Sequence, residues 1–341
     1  MPNQRSKKQA GARFLGQQNL PSKVYSKETP SERSSREPIN SFHSGKHQKY
    51  KRDIRYYVSA ELHKNHMSLL YSENITELFI WVDEMLPKKL PVPMVGRPRA
   101  LRESEIVTIL IWNILLLKHK TWKDLHRFLW AYHRTEFPTL PKYNGFLLHC
   151  HDAAVWCLRL LQRLLVTDAP LKFMDGTMLP VCKHKRADDH KVAKGVADFG
   201  KNWQGWHYGF KLHVSVTSDG RLCALVFTKA SVHERHLVAK LLGTSTKIAV
   251  GDTSYGGREL REEIWKTKGT FILAPAFHGQ KKLMAQWQKD FLAQRSCVES
   301  AFDYLKEHLH LVTSFPRSVY GYLAHYAMVL LGYQLLKIWK I

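Results

Sequence analysis

Cysteine is scarce in this chain, acidic residues are outnumbered, and no long stretch is free of polar side chains. Cys150, Cys157, Cys182, Cys223 and Cys297 are the five cysteines among 341 residues, and they form no dense, evenly paired framework. That argues against a disulfide-stapled secreted scaffold, and no secretory leader precedes the first polar residues. Reduced thiols in a cytoplasmic setting are the expectation. His149 and His151 flank Cys150, but adjacent side chains rarely converge on one tetrahedral ion, and no second cysteine pair stands at ligand spacing. Zinc is not expected there. The run Ser318 to Trp339 approaches the length of a membrane span. It carries His325, Gln334, two glycines and five tyrosines or tryptophans, which fits a packed C-terminal helix better than a lipid-facing one.

The shortage of acid is informative. Lys and Arg number 52 against 29 Asp and Glu, a formal net charge of +23 that favours a polyanionic partner, nucleic acid or an anionic membrane surface. With 44% hydrophobic residues the chain can bury a large core and build two or three structural units. Residues 1–55 hold 13 Lys or Arg against four acidic residues, with scattered Ser, Gln and Pro, and so supply nine of the 23 net charges. They read as a basic arm, disordered in isolation. A DNA-contacting arm, a solubilising extension and translated upstream sequence all fit.

From 56 to 168 the pattern is helical. Leu78, Trp81, Val82 and Met85 share one helix face, and four prolines between 87 and 98 then impose a linker. Two helices follow, beginning near Ser104 and near Thr121, where Asp124 completes an N-terminal signal. Short successive helices with basic polar faces are compatible with a helix-turn-helix in the DNA major groove and equally with pure scaffold.

At Leu171 the period changes. A candidate strand over 171–181, an alternating run through Phe210, Leu212, Val214 and Val216, and a third run after the Asp219–Gly220 turn predict an antiparallel meander. A helix, a hydrophobic strand ending in Gly251–Asp252, another helix, a further strand and two closing helices follow. That order predicts an α/β unit over 169–312, a ribonuclease H-like mixed sheet flanked by helices, with 313–341 packed on it.

In such a sheet the first and fourth strands are neighbours, so Asp175 and Asp252 can lie side by side, and Glu299 approaches from a covering helix. Crowded carboxylates raise each other's pKa and call for a cation. Hard divalent ions with oxygen ligands, Mg²⁺ or Mn²⁺, meet that need. A pair of them would activate a water or a 3′-hydroxyl and stabilise the leaving oxygen in phosphodiester hydrolysis or strand transfer. Arg295 and Lys306 lie four residues before and seven after Glu299, on one face of a predicted helix, where they can hold the flanking phosphates. Lys183, Lys185, Arg186, Lys191, Lys194, Lys201 and Lys211, interleaved with Trp203 and Trp206, read as a DNA-contacting loop or as a loop whose aromatics cap the sheet. Asp188 and Asp189 lie outside either strand and are set aside as ligands. His213 and His233 are read as packing groups, and Tyr255 as a residue that shapes its turn or touches DNA.

These elements together are recognisable. Asp175 to Lys306, with "MDGTMLPVCKHKR", "KGVADFGKNWQGWHYGFKLHV", "GDTSYGG" and "RSCVESAFDYLKEH", resembles the DDE transposases of bacterial insertion sequences, most closely the insertion sequence 982 family. The resemblance extends more weakly from about Leu69. It implies that Asp175, Asp252 and Glu299 ligate the metal and that Arg295 and Lys306 belong to the signature around the glutamate. Leu292 stands where related transposases have a tyrosine, and only 46 residues separate Asp252 from Glu299, too few for an all-β insertion domain. The expected activity is binding of terminal inverted repeats in double-stranded DNA, followed by metal-dependent cleavage and strand transfer, with a homodimer in the synaptic complex. The rivals are a structure-selective metal-dependent nuclease and a catalytically inactive DNA-binding regulator.

Overall fold

The computed structural model describes residues 75–87, 99–202, 205–276, 279 and 283–339. The expected arm over 1–55, the start of the helical pattern, most of the proline-rich linker and Trp203 lie outside the described residues.

The helical region follows its sequence signals. Helix α1 (Ile75–Met85) buries Leu78, Trp81 and Val82, the i, i+3, i+4 stripe of an amphipathic helix. Helix α2 (Glu103–Trp112) is apolar on nearly every side and lies in the interior, running into a wider π turn over Asn113–Leu117. The Asn113 amide holds the next segment: its Oδ1 accepts from His119 N at 3.0 Å and its Nδ2 donates to His119 O at 3.2 Å. Helix α3 (Trp122–Tyr132) begins where the sequence predicted, with Thr121 Oγ1 accepting from Asp124 N at 3.2 Å. Helix α4 (Tyr143–Leu164) completes the region.

The sheet begins with β1 (Leu171–Cys182), which pairs antiparallel with β3 (Gly205–Val216). On the other edge of β3 lie β2 (Asp198–Asn202) and β4 (Leu222–Lys229), both antiparallel to it. On the far side of β1 come β5 (Ile248–Val250) and β6 (Phe271–Leu273), both parallel. The result is a ribonuclease H-like mixed sheet flanked by helices. One strand, β2, falls in the stretch whose sequence reads as a loop. Its pairing with β3, Lys201 opposite Trp206, extends the sheet beyond the expected meander.

One connection between strands is shorter than its sequence promises. The "HERHLVAKLL" stretch is a 3₁₀ turn over Glu234–Leu237 and a single helical turn, α5 (Val238–Leu241). Helix α6 (Arg258–Lys268) separates β5 from β6. The expected long helix around Glu299 is divided into α7 (Gln286–Gln294), α8 (Ser296–Asp303) and a π turn over Tyr304–His308, with Arg295 as the joint between α7 and α8.

Helix α9 (Val319–Trp339) ties the sheet to the helical region. Tyr326 stacks on Phe227 of β4 with ring centroids 5.4 Å apart, and Tyr322 donates to Val181 O of β1. Gln334 is fully buried; its Oε1 accepts from Leu222 N at 2.8 Å and its Nε2 donates to Leu164 O at 2.7 Å. Satisfying both ends of that amide removes the cost of burying it. Among the described residues no helix is long and apolar enough to cross a membrane.

Candidate active site

Parallel pairing of β1 with β5 places the two aspartates. Phe173 faces Val250, so two residues further along each chain bring Asp175 and Asp252 to the same level at the end of β5. Asp252 leaves the strand and caps the 3₁₀ turn Thr253–Tyr255, accepting from Ser254 N at 2.9 Å and from Ser254 Oγ at 2.5 Å. Asp175 accepts from Gly176 N at 2.7 Å.

Arg295 joins the sheet to the covering helices. Its Nη1 lies 3.2 Å from Asp175 Oδ2, and its Nη2 donates to Glu299 Oε1 one turn on. Asp175, Glu299 and Arg295, three of the residues expected at the site, therefore meet. Burial pushes the Asp175 carboxyl up to about 6; Asp252 and Glu234 push the same way, while the Gly176 N–H and Arg295 oppose them. Lys306, at the π turn, feels the attraction of Asp303 and Asp175, but burial dominates and lowers its pKa.

A fourth carboxylate, overlooked in the sequence, stands near Asp175. Glu234 Oε2 accepts from Ser254 Oγ at 2.8 Å, and its Oε1 lies 3.5 Å from Lys211 Nζ. Ser254 has one hydroxyl proton and two carboxylate oxygens within reach, so it satisfies Asp252 and Glu234 only in turn. Gly176 makes room for this: a Cβ there would stand 3.0 Å from Glu234 Oε1 and 3.2 Å from His213 Nδ1. That absent side chain beside Asp175 was the one sign in the sequence that another residue had to enter.

Several expected contacts change meaning. Tyr255 is fully buried and does not face a surface that DNA can reach. It packs on Gly251, where a Cβ would stand 2.5 Å from the ring, which explains the glycine before Asp252. Among the described residues its buried hydroxyl has no hydrogen-bond partner, and burial together with Glu234, Asp175 and Asp252 raises its pKa. Lys211 is also buried, held by Glu234 and by Val232 O at 3.1 Å; its alternating position on β3 turns it inward, away from a DNA surface. His213 keeps a packing role, with Nε2 2.9 Å from Thr228 Oγ1, and burial brings its pKa down to about 4. His233 accepts from Arg235 N at 3.3 Å.

Lys183, Lys185, Arg186, Lys191, Lys194 and Lys201 are exposed, as is Trp206. Lys201 Nζ stands 5.8 Å from the Trp206 ring centroid, a cation–π arrangement on the β2–β3 hairpin. Asp188 and Asp189 are exposed in the preceding turn, apart from both strands that carry the aspartates.

Among the described residues no group of three or more His, Cys, Asp or Glu side chains is gathered to hold a metal ion. Arg295 accounts for part of this, because it draws Glu299 to itself. In kind, the donors fit a hard divalent ion: they are all oxygens, and Asp252 and Glu234 add to the need of the buried Asp175 for positive charge.

No curated protein and no solved structure matches the chain. Residues 167–319, which span the sheet, both aspartates and the Arg295–Glu299 pair, match the family described as the transposase DDE domain.

Proposed function

We propose that the chain is a DDE transposase of the insertion-sequence type, resembling the insertion sequence 982 family. The observation that carries this reading is the meeting of Asp175 and Glu299 on Arg295, with Asp252 level with Asp175 across β1 and β5. The match of 167–319 to the transposase DDE domain supports it. The substrate is double-stranded DNA carrying the element's terminal inverted repeats, and the products are a cleaved strand and its junction with target DNA. A homodimer would bring two ends together, and the site of action is the cytoplasm.

Asp175, Asp252 and Glu299 would hold divalent ions, Mg²⁺ or Mn²⁺ and two in number, which supply activation of a water or 3′-hydroxyl and neutralisation of the leaving oxygen. The protein's own part is electrostatic and positional. Burial keeps Asp175 eager for positive charge, and the Ser254 N–H and hydroxyl orient Asp252, with Glu234 competing for the hydroxyl proton. Arg295 supplies a planar guanidinium suited to bidentate contact with a phosphate, and the partly buried Lys306 a second cation toward Asp175.

The test is cleavage of DNA carrying the sequences that flank the gene, comparing wild type with Asp175→Asn at equal DNA occupancy in Mg²⁺. Wild-type cleavage at the element boundary, lost in the variant, is expected. Products joining paired ends separate a transposase from a nuclease. Specific binding with no cleavage by either protein would leave a DNA-binding regulator.

A further inference from the structure

A groove of about 720 Å³ opens between the start of α3, the start of α4 and the segment 313–318 that leads into α9. Lys120, Lys123 and Arg317 stand on its wall with Trp122, Tyr143 and Phe315, and among the described residues no carboxylate lines it. A second groove, of about 370 Å³, shares Thr313 with the first and reaches Lys183 and Trp206 beside the end of β1. The two adjoin at Thr313, between the helical region and the strand that carries Asp175.

The chemistry of the wall selects its occupant. His151 and His325 also face the first groove, but burial lowers both their pKa values, so Lys and Arg supply the charge. Those cations call for a chain of anions. The rings call for flat apolar faces: Phe315 is 54% exposed and Trp206 55%, a large area of aromatic surface left in water. In a duplex the faces of the bases are already stacked on one another, whereas an unpaired strand offers phosphates and free base faces together. The basic residues 1–55 carry the wrong sign to be the occupant.

We propose that these adjoining grooves together bind single-stranded DNA and guide it toward the end of β1. The inference rests on the transposase reading for the source of the strand, a frayed end of the duplex substrate. The binding itself is independent of cleavage.

The test uses the full chain carrying Asp175→Asn in EDTA, with a labelled single strand of mixed sequence and the matching duplex, read by fluorescence anisotropy. Phe315→Ala, at an exposed position, is expected to weaken single-strand binding about tenfold while leaving duplex binding unchanged. Lys123→Glu with Arg317→Glu is expected to weaken it further and to flatten its salt dependence by about one to two in logarithmic slope. Strands bearing 5-iodouracil, cross-linked by light, should attach at Trp122, Tyr143 or Phe315. Unchanged single-strand affinity in the combined variant, with its melting temperature intact, would overturn the proposal, as would adducts confined to 183–208. If wild type fails to cleave DNA in Mg²⁺ while the groove variants still lose single-strand binding, the transposase reading falls and the groove stands.

Discussion

Gln334 and Asp175 are both polar side chains inside the protein, one at the seam between α9 and the sheet, the other in the middle of β1. Every polar atom of the Gln334 side chain has a backbone partner, so burial costs it little and it locks α4, α9 and β4 together. Asp175 is only 18% exposed, with one N–H and one guanidinium for partners and two further carboxylates against it. Nearby, Ser254 is shared between two acids and the Tyr255 hydroxyl has no partner among the described residues. The contrast separates a polar group that serves the fold from one that the fold must tolerate. Unmet electrostatic demand, more than burial itself, marks the site.

The comparison predicts opposite responses. The largest effect is on chemistry: Asp175→Asn should reduce Mg²⁺-dependent cleavage by on the order of 10³-fold or more at equal DNA occupancy. Gln334→Leu should instead cost about 2–4 kcal/mol of stability, since it strands the Leu222 N–H and the Leu164 carbonyl, and should leave cleavage per folded molecule unchanged. Denaturant unfolding beside an active-fraction assay checks both halves.

Asp175→Asn should stabilise the metal-free protein. Its folded pKa of about 6 lies above the usual value of 3.8, so the folded state binds the proton more tightly. Its contribution to stability is therefore fully present below about pH 3.8 and is lost as pH rises through 6. In EDTA at pH 8 the variant should exceed wild type by about 2–3 kcal/mol, and the difference should vanish toward pH 4. Unfolding curves at the two pH values measure this. An equal gap at both would mean that packing, not charge, separates the two proteins.

Glu234→Ala gives the smallest expected effect and sharpens the comparison most. Loss of the Ser254 and Lys211 contacts should weaken Mn²⁺ binding, followed by electron paramagnetic resonance, by about tenfold, with DNA affinity kept. Glu234→Gln still accepts from Ser254 and should recover part of it. A fall in melting temperature without a change in Mn²⁺ binding would make Glu234 a structural partner of Lys211 alone.

The elements of the fold were legible where one local signal sufficed. Thr121 with Asp124 gave the start of α3, and the alternation through Phe210, Leu212, Val214 and Val216 gave β3. The β2 strand was missed because Asp198–Asn202 is short, polar and glycine-containing; its edge pairing comes from the hairpin with β3. Arg295, Glu299 and Asp175 could be named from spacing and motif, but Lys306 could not be placed by a regular helical period, because the π turn shifts the face that follows Asp303. By sequence Lys211 reads as a DNA-contacting cation and Tyr255 as shaping its turn or touching DNA; burial turns Lys211 inward and leaves Tyr255 the turn role.

What the sequence by itself determined is the succession of β1, β3, β4, β5 and β6 and the identity of the two aspartates on and just after the central strands, because hydrophobic periodicity and turn residues act over a few neighbouring positions. The tertiary structure alone decided that Glu234 shares Ser254 with Asp252, that Gly176 leaves it room and that Arg295 joins Asp175 to Glu299. Those relations depend on parallel pairing of β1 with β5 and on how the helices cover the sheet. Residues 59 and 120 positions from Asp175 come within reach of it only when a buried core fixes their distance.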